Sequence, residues 1–203
     1  TDNDSFVLTV NAVNDAPVLD DIPDQAIDED SILTYSLSAS DIDGDDLEYI
    51  ASIDGNGSVL VDGNTLTITP NTNYNGSIAV DVSVTDGQYT DNDSFVLTVN
   101  AVNDAPVITS APSAITDEDL SVEITLEGSD IDGDALTYLL DEDSPDGSVT
   151  IDGVVATFVP DSNFNGSTSF SYKVTDGELA SSSAIVLITV NAVNDVPVLE
   201  TIT

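Results

Sequence analysis

Cysteine, histidine, arginine, methionine and tryptophan are all missing from the 203 residues, and Lys173 is the only basic side chain against 39 aspartates and glutamates. Each absence removes a class of chemistry. Without cysteine there are no disulfides, so each domain must be held by its core or by bound metal. Without histidine or cysteine there is no Ser-His-Asp or Cys-His nucleophile and no His- or Cys-based zinc site, and without arginine there is no planar clamp for phosphate. A formal charge of −38 argues against nucleic acid and anionic membranes as partners, because both need basic groups to neutralise phosphate. No signal or transmembrane run is visible, and direct membrane insertion is not expected. Carboxylate chemistry alone remains for an enzyme, and nothing marks a glycosidase-like pair among 39 acids, so the chain is expected not to be one. Cations are its natural partners.

What is present is a repeat. NAVNDAP occupies Asn11 to Pro17 and Asn100 to Pro106, and NAVNDVP occupies Asn191 to Pro197, at spacings of 89 and 91 residues. The match continues between these markers. SDIDGD at Ser40 meets SDIDGD at Ser129, TPNTNYNG at Thr69 meets VPDSNFNG at Val159, and VTDG at Val84 meets VTDG at Val174. Two one-residue insertions separate the copies and are expected in loops. The stretch from Thr1 to Pro17 is identical to that from Thr90 to Pro106, which ends a repeat. The expected organisation is therefore residues 1–14 as the final strand and linker of a preceding repeat, 15–104 and 105–195 as two whole repeats, and 196–203 as the first strand of a following one.

Apolar residues alternate with polar ones throughout: Leu33, Tyr35 and Leu37; Ile78, Val80, Val82 and Val84; Phe95, Leu97 and Val99; and their counterparts in the second copy. Period-two alternation marks half-buried antiparallel strands. Asp-Gly and Asn-Gly pairs punctuate them as turns; Asn56, Asn75 and Asn165, each in NGS, are read as such turns and not as glycosylation sites. About seven strands per unit predict an all-β chain of tandem seven-stranded Greek-key immunoglobulin-like sandwiches. Strands that reverse in succession put IDED and TPNTNYNG at one end of a unit, and SDIDGD and VTDG at the other. The far end of unit one, the linker and the near end of unit two are expected to converge.

Hard oxygen ligands without nitrogen or sulfur point to calcium, which takes six to eight oxygens in flexible geometry. Magnesium fits less well because it keeps its waters. Two other calcium motifs are excluded: an EF-hand loop counted from Asp41 would need Gly at its sixth position and Glu at its twelfth, and no glycine-rich nonapeptide occurs.

The ensemble resembles cadherin repeats, and more closely the cadherin-like tandem repeats of large bacterial surface adhesins, including RTX-type exported ones. The resemblance implies calcium-binding linkers, with Glu29 and Glu118 at the A–B corner, Asp41 and Asp43, and Asp130 and Asp132, as the Asp-x-Asp pairs, and Asp86 and Asp176 at F–G. It further implies Asn14 and Asp15, Asn100, Asn103 and Asp104, and Asn194 and Asp195 in the linkers. Asn73 and Asp161 stand where the cadherin Asp-x-Glu motif would be and would be weaker ligands. Ala101 and Val102 replace polar ligands, which implies one or two ions per junction and not three. Lys173 could invite an isopeptide bond, but its counterpart is Ser83, and a solvated strand residue is expected.

The functional expectation is a calcium-rigidified structural extender of a large bacterial extracellular adhesin or surface fibre, acting in adhesion or biofilm, whose partners are adjacent repeats and calcium ions. Two alternatives are a calcium-dependent carbohydrate-binding module, for which only Tyr74 and Tyr89 offer exposed aromatics, and homotypic packing of copies in an extracellular filament.

Overall fold

Residues 2–197 are described by a computed structural model, and no helix occurs among them. They form two units, the first reaching to Val102 and the second starting at Asn103. Residues 198–203, the greater part of the expected following repeat, lie outside the described residues.

In the first unit the alternating segments become β1 (Val18–Leu19), β2 (Gln25–Asp28), β3 (Leu33–Ser36), β4 (Ala39–Ser40), β5 (Glu48–Ile53), β6 (Gly57–Asp62), β7 (Thr65–Pro70), β8 (Gly76–Thr85) and β9 (Thr90–Asn100). One sheet has the order β2-β9-β8-β5, the other β3-β7-β6, and β1 pairs with β4. All pairs are antiparallel except β2 on β9, which is parallel, with Ile27 opposite Val99. If β1 and β2 are taken as one interrupted strand, and β3 and β4 as another, the unit is the seven-stranded sandwich that the alternation predicts. The first interruption has a local cause. Pro23 cannot donate to a ladder, and inward-facing acids of β9 take up the backbone beside it: Asp91 accepts from Leu19 N at 2.9 Å and Asp93 from Ile22 N at 2.7 Å. The inner faces of both sheets meet in a core of Leu66, Ile68, Ile78, Val80, Val84 and Leu97, each fully buried.

The second unit repeats this order with β10 (Val107–Ile108), β11 (Ser113–Asp117), β12 (Val122–Thr125), β13 (Gly128–Ser129), β14 (Thr137–Glu142), β15 (Gly147–Asp152), β16 (Val155–Pro160), β17 (Gly166–Thr175) and β18 (Ala184–Asn191). Phe158, Tyr172, Val174 and Val186 fill its core. One of the two insertions does not sit in a loop. In unit one Ser52 faces Asp81, but in unit two Glu142, and not Asp141, faces the equivalent Ser171, so the extra residue is a bulge at Asp141 within β14. The bulge brings Asp141 to Lys173 Nζ at 2.6 Å. Lys173, expected as a solvated strand residue, is thus ion-paired. Hydrogen bonds from Lys173 and Ser183 hold the Asp141 carboxyl below the ordinary carboxylate range, which favours the ion pair over an amide bond.

The seventeen-residue repeat takes two forms. From Thr90 it is β9, with Phe95 and Leu97 buried; from Asp2 to Val13 no strand forms, and Phe6, Val7, Leu8 and Val10 are exposed.

Candidate cation sites at the ends of the units

The loop between β4 and β5 is built around Asp41. Its Oδ1 accepts from the backbone N–H groups of Asp43 and Gly44 at 2.9 Å and of Asp45 at 3.3 Å. Gly44 at φ 78° supplies the left-handed residue that closes this tight turn. Folding the loop onto one oxygen gathers three carboxylates, because one oxygen each of Asp41, Asp43 and Asp45 lies within 4.8 Å of the others. The linker docks on the same group: Asp15 N donates to Asp43 Oδ2 at 2.8 Å, and the Asn14 amide donates to Asp86 Oδ2 at 2.8 Å. Asp86 closes the turn after β8 through its other oxygen, which accepts from Gln88 N at 2.6 Å and Tyr89 N at 2.7 Å.

Unit two reproduces each contact. Asp130 Oδ1 accepts from Asp132, Gly133 and Asp134, and the carboxylates of Asp130, Asp132 and Asp134 converge within the same 4.8 Å. Asp104 N donates to Asp132 at 2.8 Å, and the Asn103 amide donates to Asp176 at 2.9 Å. Two independent copies arriving at one arrangement show that the motif, and not its surroundings, dictates it.

The second oxygen of the central acid is the feature that the turn leaves unresolved. Asp41 Oδ2 and Asp130 Oδ2 are buried and have no hydrogen-bond partner. A buried polar atom without a partner costs about 1–3 kcal/mol, and here two further carboxylates stand beside it. No side-chain cation answers either cluster, since Lys173 is held by Asp141. The donor set, oxygen only and clustered, suits a hard divalent cation such as calcium.

Electrostatics divide the acids of the loops in two directions. Desolvation, followed by the charges of Asp41, Asp43, Asp86 and Asp46, raises the Asp45 carboxyl. The Tyr89 and Gln88 N–H groups lower Asp86, and the Asn103 amide together with Leu179 and Glu178 N–H lowers Asp176. A lowered carboxyl stabilises the fold above the unfolded value near 3.8 and loses that contribution as the pH falls through its own lower value. A raised one works in reverse: Asp45 costs stability as the pH climbs from the ordinary value through its raised one. In EDTA, a carbon-detected NMR titration is expected to place the Asp45 midpoint above 3.8 and those of Asp86 and Asp176 below it. In calcium, Asp45 should move to lower pH. An Asp45 midpoint indifferent to calcium would remove it from the ligand set.

At the opposite end of each unit a glutamate organises the chain. Glu29, 6% exposed, accepts from Val102 N at 2.6 Å, and its own N–H donates to Asn100 O at 2.9 Å. Glu118, 7% exposed, accepts from Val193 N in the same way. Asn100 and Asn191 turn their amides to Asp28 and Asp117. Asn73 is half-buried with φ 55°, and its N–H donates to Asp30 Oδ1 at 3.0 Å. Asp161 is exposed, and its backbone carries turn hydrogen bonds to Asp146 and Phe164. Asn194 donates to the carbonyl of Asp195 at 3.2 Å.

Sequence reasoning missed Asp45 and Asp134. Their signal was the last letter of SDIDGD, the third acid at i+4, which reaches the cluster only because the turn folds back on Asp41 and Asp130.

The bacterial Ig domain family model matches residues 14–100 and again 103–189. No curated protein matches the chain. Among solved structures, human protocadherin-24 EC1-2 superposes with a TM-score of 0.52 at 17% identity, covering 90% of this chain and 100% of that one. Drosophila N-cadherin EC1-4 gives 0.53 at 15% identity, covering 88% and 50%. At these identities the likeness shows the fold alone, and the fold is cadherin-like. An endo-fucoidan hydrolase of glycoside hydrolase family 107 is also similar, at 21% identity and a TM-score of 0.38 over 88% of this chain, and the chain spans 29% of its length.

Proposed function

The chain belongs to the bacterial Ig domain family, and on that premise we propose that it is a calcium-rigidified extender segment of a bacterial extracellular adhesin or surface fibre, with no catalytic role. The observation that carries the calcium reading is the pair of buried, partnerless oxygens, Asp41 Oδ2 and Asp130 Oδ2, each inside a cluster of three carboxylates.

Calcium would be held in unit two by Asp130, Asp132 and Asp134, with Asp176, Asn103 and Asp104 beside them; Asp41, Asp43, Asp45, Asp86, Asn14 and Asp15 are the set in unit one. The ion supplies positive charge where the protein has none. The chain's own residues then tie the linker residues to the unit that each belongs to. Val102 is tied to Glu29 in unit one, and the next two residues are tied to Asp176 and Asp132 in unit two. Each of these contacts engages an acid, so each is favoured when the acids around it are neutralised. When they are not, their mutual repulsion works against the same contacts. Extracellular modules of this kind bind calcium at about 10⁻⁴ to 10⁻³ M, which matches millimolar calcium outside cells. Adhesion, with a terminal binding domain held away from the surface, follows from such stiffness. The chain offers little platform for sugar: the Tyr74 hydroxyl is committed to Ser77 O, and Tyr89 stands 48% exposed at the end of a turn.

The test is calorimetry of the two-unit chain at matched ionic strength. A cation that binds the native state at a hundred times its Kd stabilises by about 2.7 kcal/mol per site, so 10 mM calcium should raise the melting temperature by about 10 °C over EDTA. Superimposable melting curves in the two media would sink the calcium reading.

A further inference from the structure

The first strand is held differently in the two units, and the difference lies in side chains of the last strand. In unit one, Asp91 and Asp93 at the start of β9 each use both oxygens. Asp91 accepts from Asn92 N at 3.0 Å and from Leu19 N at 2.9 Å, and Asp93 accepts from Ser94 N at 2.8 Å and from Ile22 N at 2.7 Å. One oxygen braces the carboxylate on its own strand, and the other reaches across to the first. Hydrogen bonds to an ionised acceptor are roughly twice as strong as neutral ones. At these two ties Leu19 and Ile22 are buried in the core.

Unit two has neither tie. Ser181 lies opposite Val174 and Ala184 opposite Tyr172, the places that Asp91 and Asp93 hold opposite Val84 and Val82. Ser181 turns its hydroxyl back to Val174 N, and the Ala184 side chain has no polar atom. The second one-residue insertion falls between them, so that β18 begins only at Ala184 and has eight residues against the eleven of β9. On the facing side, Leu19 and Ile22 become Ile108, which is half-buried, and Ala111, which is exposed. The hydrogen bonds of β10 and the residues after it run instead to the second strand and to β17: Thr109 N to Glu127 O at 3.3 Å, Ser110 Oγ to Glu127 at 2.9 Å, and the Tyr172 hydroxyl to Ser110 O at 2.9 Å. A groove of about 410 Å³ opens between residues 106–111 and 181–184.

We propose that Asp91 and Asp93 latch the first strand of unit one, and that unit two, lacking the latch, opens at this corner: β10 and residues 109–111 leave the sandwich while the rest of the unit stays folded. Its use in an extender rests on the function proposed above, because load would enter a unit by its first strand and leave by its last. The opening itself depends neither on calcium nor on that reading.

Two equivalent amides report on it, since Asp20 N donates to Ser38 O and Thr109 N to Glu127 O across the same strand pair. Hydrogen exchange of the whole chain in EDTA, at a series of low urea concentrations, separates a local opening from unfolding of a unit, because a local opening exposes little surface and its rate barely responds to urea. In the unmodified chain Thr109 should be protected about a hundredfold less than Asp20 and should ignore urea, while Asp20 should follow urea as the core amide of Ile78 does. In the Asp91→Ala, Asp93→Ala chain, Asp20 should lose its extra protection and become as indifferent to urea as Thr109. A Thr109 amide that follows urea together with Ile188 in the unmodified chain would overturn the proposal, because the strand would then leave only with its whole unit. An Asp20 amide that ignores urea before the substitution, or still follows Ile78 after it, would equally overturn it. Should the double substitution unfold unit one, the comparison of Thr109 with Asp20 in the unmodified chain still decides.

Discussion

Asp130→Asn is expected to raise the melting temperature of the second unit by about 5 °C in EDTA and to abolish most of its response to calcium. The two halves of this result have one cause. Asp130 Oδ1 holds three backbone N–H groups, and an asparagine oxygen can hold them equally well. The difference lies at the other atom. Oδ2 is buried without a partner among acceptors that all carry negative charge; an amide N–H₂ in its place becomes a donor facing Asp132 and Asp134 and removes one of three crowded charges. The apo unit therefore gains. In calcium the same change removes an anionic ligand from the centre of the set and presents N–H groups to the ion, so the bound form loses. Asp41→Asn should behave in the same way in unit one. A purely structural role for Asp130 predicts one direction of change in both media. Calorimetry of each variant with and without calcium checks this, and an undiminished calcium shift in Asp130→Asn would take the central acid out of the site.

This reversal also shows which parts of the molecule could be read from the sequence. The sandwich was legible because each strand carries its own period, and the corner motifs fell at the strand ends because strands that reverse must deliver them there. The placing of SDIDGD and VTDG at one end of a unit followed from that reversal; Asp41, Asp43 and Asp86 as ligands were implied only by the resemblance to cadherin repeats. Asp45 was not, because its place beside Asp41 depends on three hydrogen bonds to a single oxygen, a property of the closed turn that no pattern of residue types displays. The bulge at Asp141 was hidden for a related reason. An insertion is visible in an alignment of the two copies, but whether it lengthens a loop or kinks a strand depends on the register with β17. There the kink is joined to the chain's only cation, so the loop expectation failed where a specific ion pair forms. Asn100 sits in the linker motif, yet its amide turns to Asp28, because the end of β9 lies beside the end of β2.

Leu97→Ala should cost the first unit about 2–5 kcal/mol, whereas Leu8→Ala should change stability by less than about 0.5 kcal/mol. No local property separates these two leucines. They share seventeen residues of identical sequence, hence the same intrinsic strand propensity and the same neighbours along that stretch. Leu97 is fully buried between Gln25 of β2 and Ile78 of β8, while Leu8 is 77% exposed and pairs with nothing. The first substitution loses transfer free energy and leaves a cavity in a close-packed core, and the second exchanges one solvated side chain for another. For a unit of this size, the melting transition of unit one should fall by roughly 10–25 °C in Leu97→Ala, with unit two unmoved. Because propensity cancels, the difference between the variants measures what the surrounding sheet contributes to a strand. Urea unfolding of both, followed through the first unit, supplies the number. Comparable losses in Leu8→Ala and Leu97→Ala would mean that residues 2–13 pack on their own chain.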